Sequence, residues 1–313
     1  MLRTTRAPLA AFLLLCLLGS LGPLRSELAP AAAPSAVPLW LLSSWPYLLI
    51  ATLAFAYTAL RHRPWLAATL LTSAVFVGLG LFVVPNVAVQ FARSWIDPFT
   101  EVILLALTPV FTVVLEPHIA VSSAQPRYAL LAATTAASGL LLVFPFSLPR
   151  SASEAAGWLL LLVAAGVVAA AYCSAVHLIS QRLRQSGAPL AAIASAASAL
   201  AFLFINFLSR TFHLRFATQQ TSLIGSTLIE ASSLLLFFWL LPRLSALRLT
   251  TRFVLSPLFS SLVSLILLRP TVTARDVAGL LLAAGGSAWL LLAPVTKCDP
   301  PASLLGLDNN SVL

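Results

Sequence analysis

The side chains able to do chemistry in this chain are few, and they sit inside long apolar stretches. Glu230 is the most informative, because it stands about twelve residues from either end of an apolar run over 218–241. A charge at the centre of a membrane helix costs about 2.5–3.5 kcal/mol on insertion scales, so such a carboxylate needs a proton, a partner or a water-filled cavity. Two readings stand: a protonated Glu230 that hydrogen-bonds a neighbouring helix, and a cavity-lining acid that binds a substrate amine or a coupling proton. Arg252 is its foremost candidate partner. Counted inward from the turn at Pro242, Glu230 stands about 17 Å deep and Arg252 about 9 Å, a gap that an extended arginine, water or a substrate spans. Arg248 is shallower and reads as a side chain that snorkels to the interface.

The other candidates are neutral amides and one further acid. Pro85 is followed by Asn86 and Gln90. A proline removes one backbone donor, so the carbonyl of Leu81 is either freed for a ligand or part of an ordinary kink. Asp97 and Glu101 lie one turn apart at the start of the next run. The partly positive helix N-terminus explains Asp97 as a cap, whereas Glu101 lies deeper, toward an outer vestibule. Asn206 and His177 fall near run ends, where a hydrogen bond to a neighbouring helix is the default. The substrate-binding set is therefore Glu230, Arg252, Asn86, Gln90, Glu101 and Asn206. Seven tryptophans fall mostly near run ends, as an interfacial belt requires. Trp239 shares a run with Glu230 and also offers a cation-binding face.

Metal and cofactor chemistry find no footing. The four histidines, His62, His118, His177 and His213, are scattered. Cys16, Cys173 and Cys298 have no metal-ligand spacing. No P-loop or dinucleotide fingerprint is present. We therefore expect no metal, no cofactor and no enzyme; only Asp97 with Glu101 forms a close acid pair of the kind a lipid-modifying enzyme needs.

The elements that hold these residues must be membrane helices. The 313 residues are 60% hydrophobic and 9% charged, with a mean hydropathy of +0.99, too little polar surface for a soluble domain. The net charge of +9 lies mostly between apolar runs, where it sets topology and meets anionic headgroups; nucleic acid is not an expected partner. Ten runs approach the length of a span: 7–24, 38–60, 65–88, 97–117, 128–146, 156–180, 187–208, 218–241, 246–268 and 275–294. The first also reads as a cleaved signal peptide, since Arg3 and Arg6 precede Leu9 to Leu18 and small residues follow. Both readings stand at this point. With the N-terminus inside, eleven lysines and arginines fall on the cytoplasmic side and seven opposite, which favours two cytoplasmic termini.

The chain also repeats itself. Ser256-Pro257-Leu258-Phe259-Ser260 matches Thr108-Pro109-Val110-Phe111-Thr112 in chemical type, and the offset of 148 (257 minus 109) also pairs Leu107 with Leu255 and Arg127 with Arg275. Cys16 and Arg25 echo Cys173 and Arg182. Five helices is an odd number, so two such copies insert in opposite orientations, the arrangement of many secondary transporters. Pro109 and Pro257 are expected to kink their helices at matched points.

Ser245-Ala246, Leu255-Ser256-Pro257-Leu258-Phe259, Arg275 and the Gly279–Gly286 stretch together resemble the EamA-type repeat of the drug/metabolite transporter superfamily. Asp97-Pro98 through Leu107-Thr108-Pro109-Val110-Phe111 to Gly139 resembles a diverged copy. Arg269-Pro270 stands where members often place a glutamate. The resemblance implies an all-α membrane protein of ten transmembrane helices as two inverted five-helix repeats, 1–150 and 151–296, with a short cytoplasmic tail at 297–313. It implies a central cavity with the fifth and tenth helices outside it, in a plasma or inner membrane. The expected function is that of a secondary transporter exporting or exchanging a small metabolite or drug-like solute by alternating access. A non-transporting scaffold, a channel and a membrane-embedded lipid-modifying enzyme are the alternatives. The expected partners are a small-molecule substrate, the lipid bilayer and a coupling proton, with a homodimer as the assembly. A deep acid beside an arginine suits a zwitterion; a hydrophobic cation or neutral metabolite also remains open.

Overall fold

The computed structural model describes residues 3–28, 39–61, 68–120, 127–182, 187–208, 220–268 and 272–292. Every regular element among them is helical. In chain order these are α1 (Arg3–Leu28), α2 (Leu39–Leu60), α3 (Ala68–Gly78), a π-helical turn (Leu79–Val83), α4 (Val84–Ala92), α5 (Pro98–Leu105) and α6 (Thr108–Ala120). They continue with α7 (Arg127–Val143), α8 (Ala152–Arg182), α9 (Ala188–Leu208), α10 (Gln220–Leu240), α11 (Ala246–Thr250), α12 (Arg252–Leu268) and α13 (Ala274–Leu292). Each of the ten predicted runs falls on a helical rod, three of the rods being interrupted: α3–π–α4, α5–α6 and α11–α12. Among the described residues six helical stretches are long and apolar enough to cross a membrane, and four more apolar helices are 10–17 residues long.

Local chemistry sets the ends. Asp97 accepts from the Phe99 N–H at 3.0 Å, and Pro98 opens α5 where a missing N–H costs nothing. Ser151 with Glu154, and Thr273 with Asp276, form capping boxes in which each side chain accepts from the other residue's neighbourhood of backbone N–H groups. Ser245 caps α11.

The interruptions depart from the expected matched kinks. The fourth rod breaks at Ala106–Leu107, just ahead of Pro109, and Thr108 Oγ1 donates to the Leu105 carbonyl that proline cannot serve, at 2.6 Å. The ninth rod breaks at Thr251, while α12 runs through Pro257 as a helix. There Thr250 and Thr251 both turn their hydroxyls onto the Leu247 carbonyl, at 3.0 and 2.9 Å, and compete with the helix's own donors. The third rod widens into a π-turn, Val84 N–H bonding Leu79 O, directly before Pro85. The wider turn accommodates the proline ring, and Leu81 within it is buried.

Packing is by close approach of small residues. α7 and α13 form one of the two most extensive pairs, α2 and α9 the other. A Cβ on Gly286 would stand 2.6 Å from Ala136 N, and one on Gly279 2.7 Å from Gly139 O, so only glycine permits that spacing. Between α3 and α9, Ser198 Oγ donates to the carbonyls of Gly78 and Ala194 at 3.0 and 2.8 Å. The rod-to-rod neighbours obey a rule: exchange the first five rods with the last five and the main pairs map onto one another. The fourth with the sixth maps onto the ninth with the first, the third with the sixth onto the eighth with the first, and the third with the seventh onto the eighth with the second. α1 is an integral member, with Phe12 and Cys16 fully buried and the Cys16 carbonyl accepting from Ser256 Oγ at 3.2 Å.

Candidate functional site

Where α2, the π-turn, α8, α9, α10 and α12 meet, the apolar core turns aromatic. Tyr47 packs on Phe82 at 5.1 Å between ring centroids and on Phe202 at 5.5 Å. Phe82 meets Phe237 and Phe238 at 5.8 and 6.0 Å, and Tyr172 meets Phe237 and Phe253 at 5.7 and 6.3 Å. Edge-on and tilted geometries dominate, as ring quadrupoles prefer.

Arg252 enters this cluster from the start of α12. Its guanidinium carbon lies 5.6 Å from the Tyr172 ring centre, 5.3 Å from Phe237 and 5.1 Å from Phe253. Three ring faces therefore hold the cation, each contact worth about 0.5–2 kcal/mol, enough together to offset much of its insertion cost. Of the ways the sequence left open to span Arg252 and Glu230, arginine reach, water or a substrate, a direct ion pair is not formed among the described residues.

Glu230 occupies the face of α10 that also carries Leu234, Phe237 and Leu241, all three buried. Unlike them it is exposed, as are Leu228 and Ile229 just before it, so α10 is open on several sides at that level, about 10 Å along the helix from Phe237. Tyr47 lies close enough to both Glu230 and Arg252 to feel their charges.

The remaining candidates are dispersed. Asn86 is exposed one turn beyond Phe82, and its Nδ2 donates to the Phe82 carbonyl at 2.7 Å, so half of its amide serves its own helix. Gln90 is half-buried one turn further on. Glu101 is nearly buried at the α4–α5 corner and pairs with Arg93 there, Nε to Oε2 being 3.5 Å. It is thus tied to its own hairpin. The side chain of Asn206 lies outside the described residues, as do His62, His213 and the tail at 297–313. Trp239 does bind a cation, but an internal one: Arg243 lies 3.8 Å above its ring and also donates to its carbonyl.

A crevice of about 1310 Å³ adjoins this region. It is lined by Ile50 and Tyr57 of α2, Ala191 of α9, Ser232 and Phe238 of α10, and Arg243 among others. Phe238 belongs both to its wall and to the aromatic cluster. Of the described residues that line it, none is among the six nominated from sequence. Its lining also brings together Ala11, Tyr57, Ser180, Gly187 and Arg243, so the start of α1, the ends of α2, α8 and α10, and the start of α9 share one end of the bundle.

The aromatic cluster, and Tyr47 and Tyr172 in particular, was missed in the sequence. A tyrosine in an apolar run carries no signal by spacing. The only hint was scarcity, since the chain has four tyrosines and two of them are fully or nearly buried here.

No family model matches the chain, and no curated protein matches it. Twenty-six chains of known structure are similar to it in fold. One, described only as "Crystal structure of protein", superposes with a TM-score of 0.67 over 92% of this chain and 98% of its own, at 14% identity. That likeness is one of fold alone. The composition and the apolar helices define the class: an all-helical, multi-helix membrane protein.

Proposed function

We propose that this protein is a secondary transporter that moves a small solute by alternating access around the Glu230–Tyr47–Arg252 region. The observation that carries the reading is an exposed carboxylate, Glu230, on the helix face that carries buried Leu234 and Phe237, together with a half-buried Arg252 among aromatic rings, the two not paired with each other. Charges in an apolar bundle are costly, and an accessible acid on such a face is what a solute or coupling proton requires. Supporting it, rod-to-rod contacts that survive exchange of the two halves fit a duplicated five-helix unit. Ten spans and inverted insertion of the two units would follow, as in the EamA-type transporters the sequence resembles. Interrupted rods lining the centre fit the same plan. The arginine distribution favours both termini in the cytoplasm.

The test is efflux of a metabolite panel from proteoliposomes containing the purified protein. Wild type should pass at least one solute, and Glu230→Gln should cut that flux by tenfold or more. Equal flux in both would remove Glu230 from the mechanism, and no flux over a broad panel would favour a non-transporting scaffold.

A further inference from the structure

Arg252, half-buried at the start of α12, has directed donors that no protein acceptor uses among the described residues. A guanidinium presents five N–H groups, and among the described residues Arg252 meets three ring faces and no hydrogen-bond acceptor. Ring faces answer the charge but not the fork of donors, and charge-assisted bonds are roughly twice as strong as neutral ones. A second, independent observation points to the same spot. Tyr172 is 0% exposed, and its hydroxyl has no partner among the described residues. Leaving a buried hydroxyl unsatisfied is costly. Its ring is one of the three around Arg252. Among the described residues no carbonyl, hydroxyl or carboxylate accepts from Arg252, and Glu230 forms no ion pair with it.

We infer that Arg252 and Tyr172 form the seat for a carboxylate of the transported solute. An oxyanion satisfies the guanidinium fork in a bidentate manner and accepts from the phenol at once. One arginine supplies one positive charge, and uncompensated charge inside the bundle is costly, so a monoanion fits and a phosphate dianion does not. Phe237 and Phe253 provide apolar walls beside the seat. The role in transport rests on the function proposed above; the seat itself is a matter of binding.

The full-length protein in nanodiscs of zwitterionic lipid tests it by calorimetry and by thermal melting. The probes are acetate, phenylacetate and phenylalanine, with acetamide and phenylacetamide as uncharged counterparts and inorganic phosphate as the dianion. At least one carboxylate should bind and raise the melting temperature, while the amides should not. Tyr172→Phe should weaken that binding about tenfold, and Arg252→Gln should abolish it. Arg252→Lys, which keeps the charge and loses the fork, should fall between wild type and Arg252→Gln, and it decides the matter if Arg252→Gln does not fold. The inference is overturned if no carboxylate binds, if acids and amides act alike, if Arg252→Lys and Tyr172→Phe both bind as wild type does, or if phosphate binds more tightly. Carboxylate binding without any solute flux would leave the seat standing and overturn the transport reading; flux without carboxylate binding would overturn the seat alone.

Discussion

Glu230 and Glu101 are both acids in apolar helices, and their surroundings assign them different work. Glu101 is tied to Arg93 of its own hairpin, so it steadies the α4–α5 corner. Glu230 stands exposed on a helix face that carries buried Leu234 and Phe237, within electrostatic range of Tyr47. Glu101→Gln should therefore leave solute flux within about twofold of wild type and lower the melting temperature slightly, as expected for loss of a partly exposed ion pair. Glu230→Gln should do the reverse. Parallel flux and melting measurements on the two variants check this, and a loss of flux with Glu101→Gln alone would contradict it. At this scale the sequence was informative about charge and silent about contact. A lone glutamate in an apolar run is conspicuous because it is expensive. That Arg252 would meet rings before it met Glu230 depends on where Tyr172 and Phe253 point, which no spacing along the chain encodes.

The helices themselves were the most legible feature, because ten apolar runs between clear breakers leave little choice. Their interruptions were less so. Prolines at 85, 109 and 257 announced distortion, yet α12 passes through Pro257 and breaks earlier, at Thr251, where two hydroxyls compete for one carbonyl. The small-residue faces give a sharp prediction at this scale. Gly286→Ala puts a Cβ 2.6 Å from Ala136 N and should destabilise the α7–α13 pair by about 1–3 kcal/mol. Gly285→Ala and Gly166→Ala meet nothing within 4 Å and should leave stability unchanged or raise it through helix propensity. Thermal melting of the three variants in one detergent checks this; equal losses in all three would mean that the α7–α13 interface is not the close one described.

For the whole molecule, the end of the bundle that gathers Tyr57, Ser180 and Arg243 yields a topological prediction. Ser151, at the opposite end of α8 from Ser180, must lie on the other side if α8 spans. Single cysteines at Tyr57, Ser180 and Arg243 should react with an impermeant thiol reagent from one side, the cytoplasmic one by the arginine distribution, and Ser151→Cys only from the other. The relation between the two halves was visible in sequence as a five-residue echo. Its larger expression, the exchange of rod neighbours, needed the fold. Whether that arrangement carries solute is the central claim, and counterflow tests it most directly. Proteoliposomes loaded with labelled solute are diluted into buffer with or without the same solute unlabelled. Alternating access predicts that external solute accelerates release of label in wild type and fails to do so in Glu230→Gln. Release that is rapid but indifferent to external solute would mean a channel, and would contradict the account.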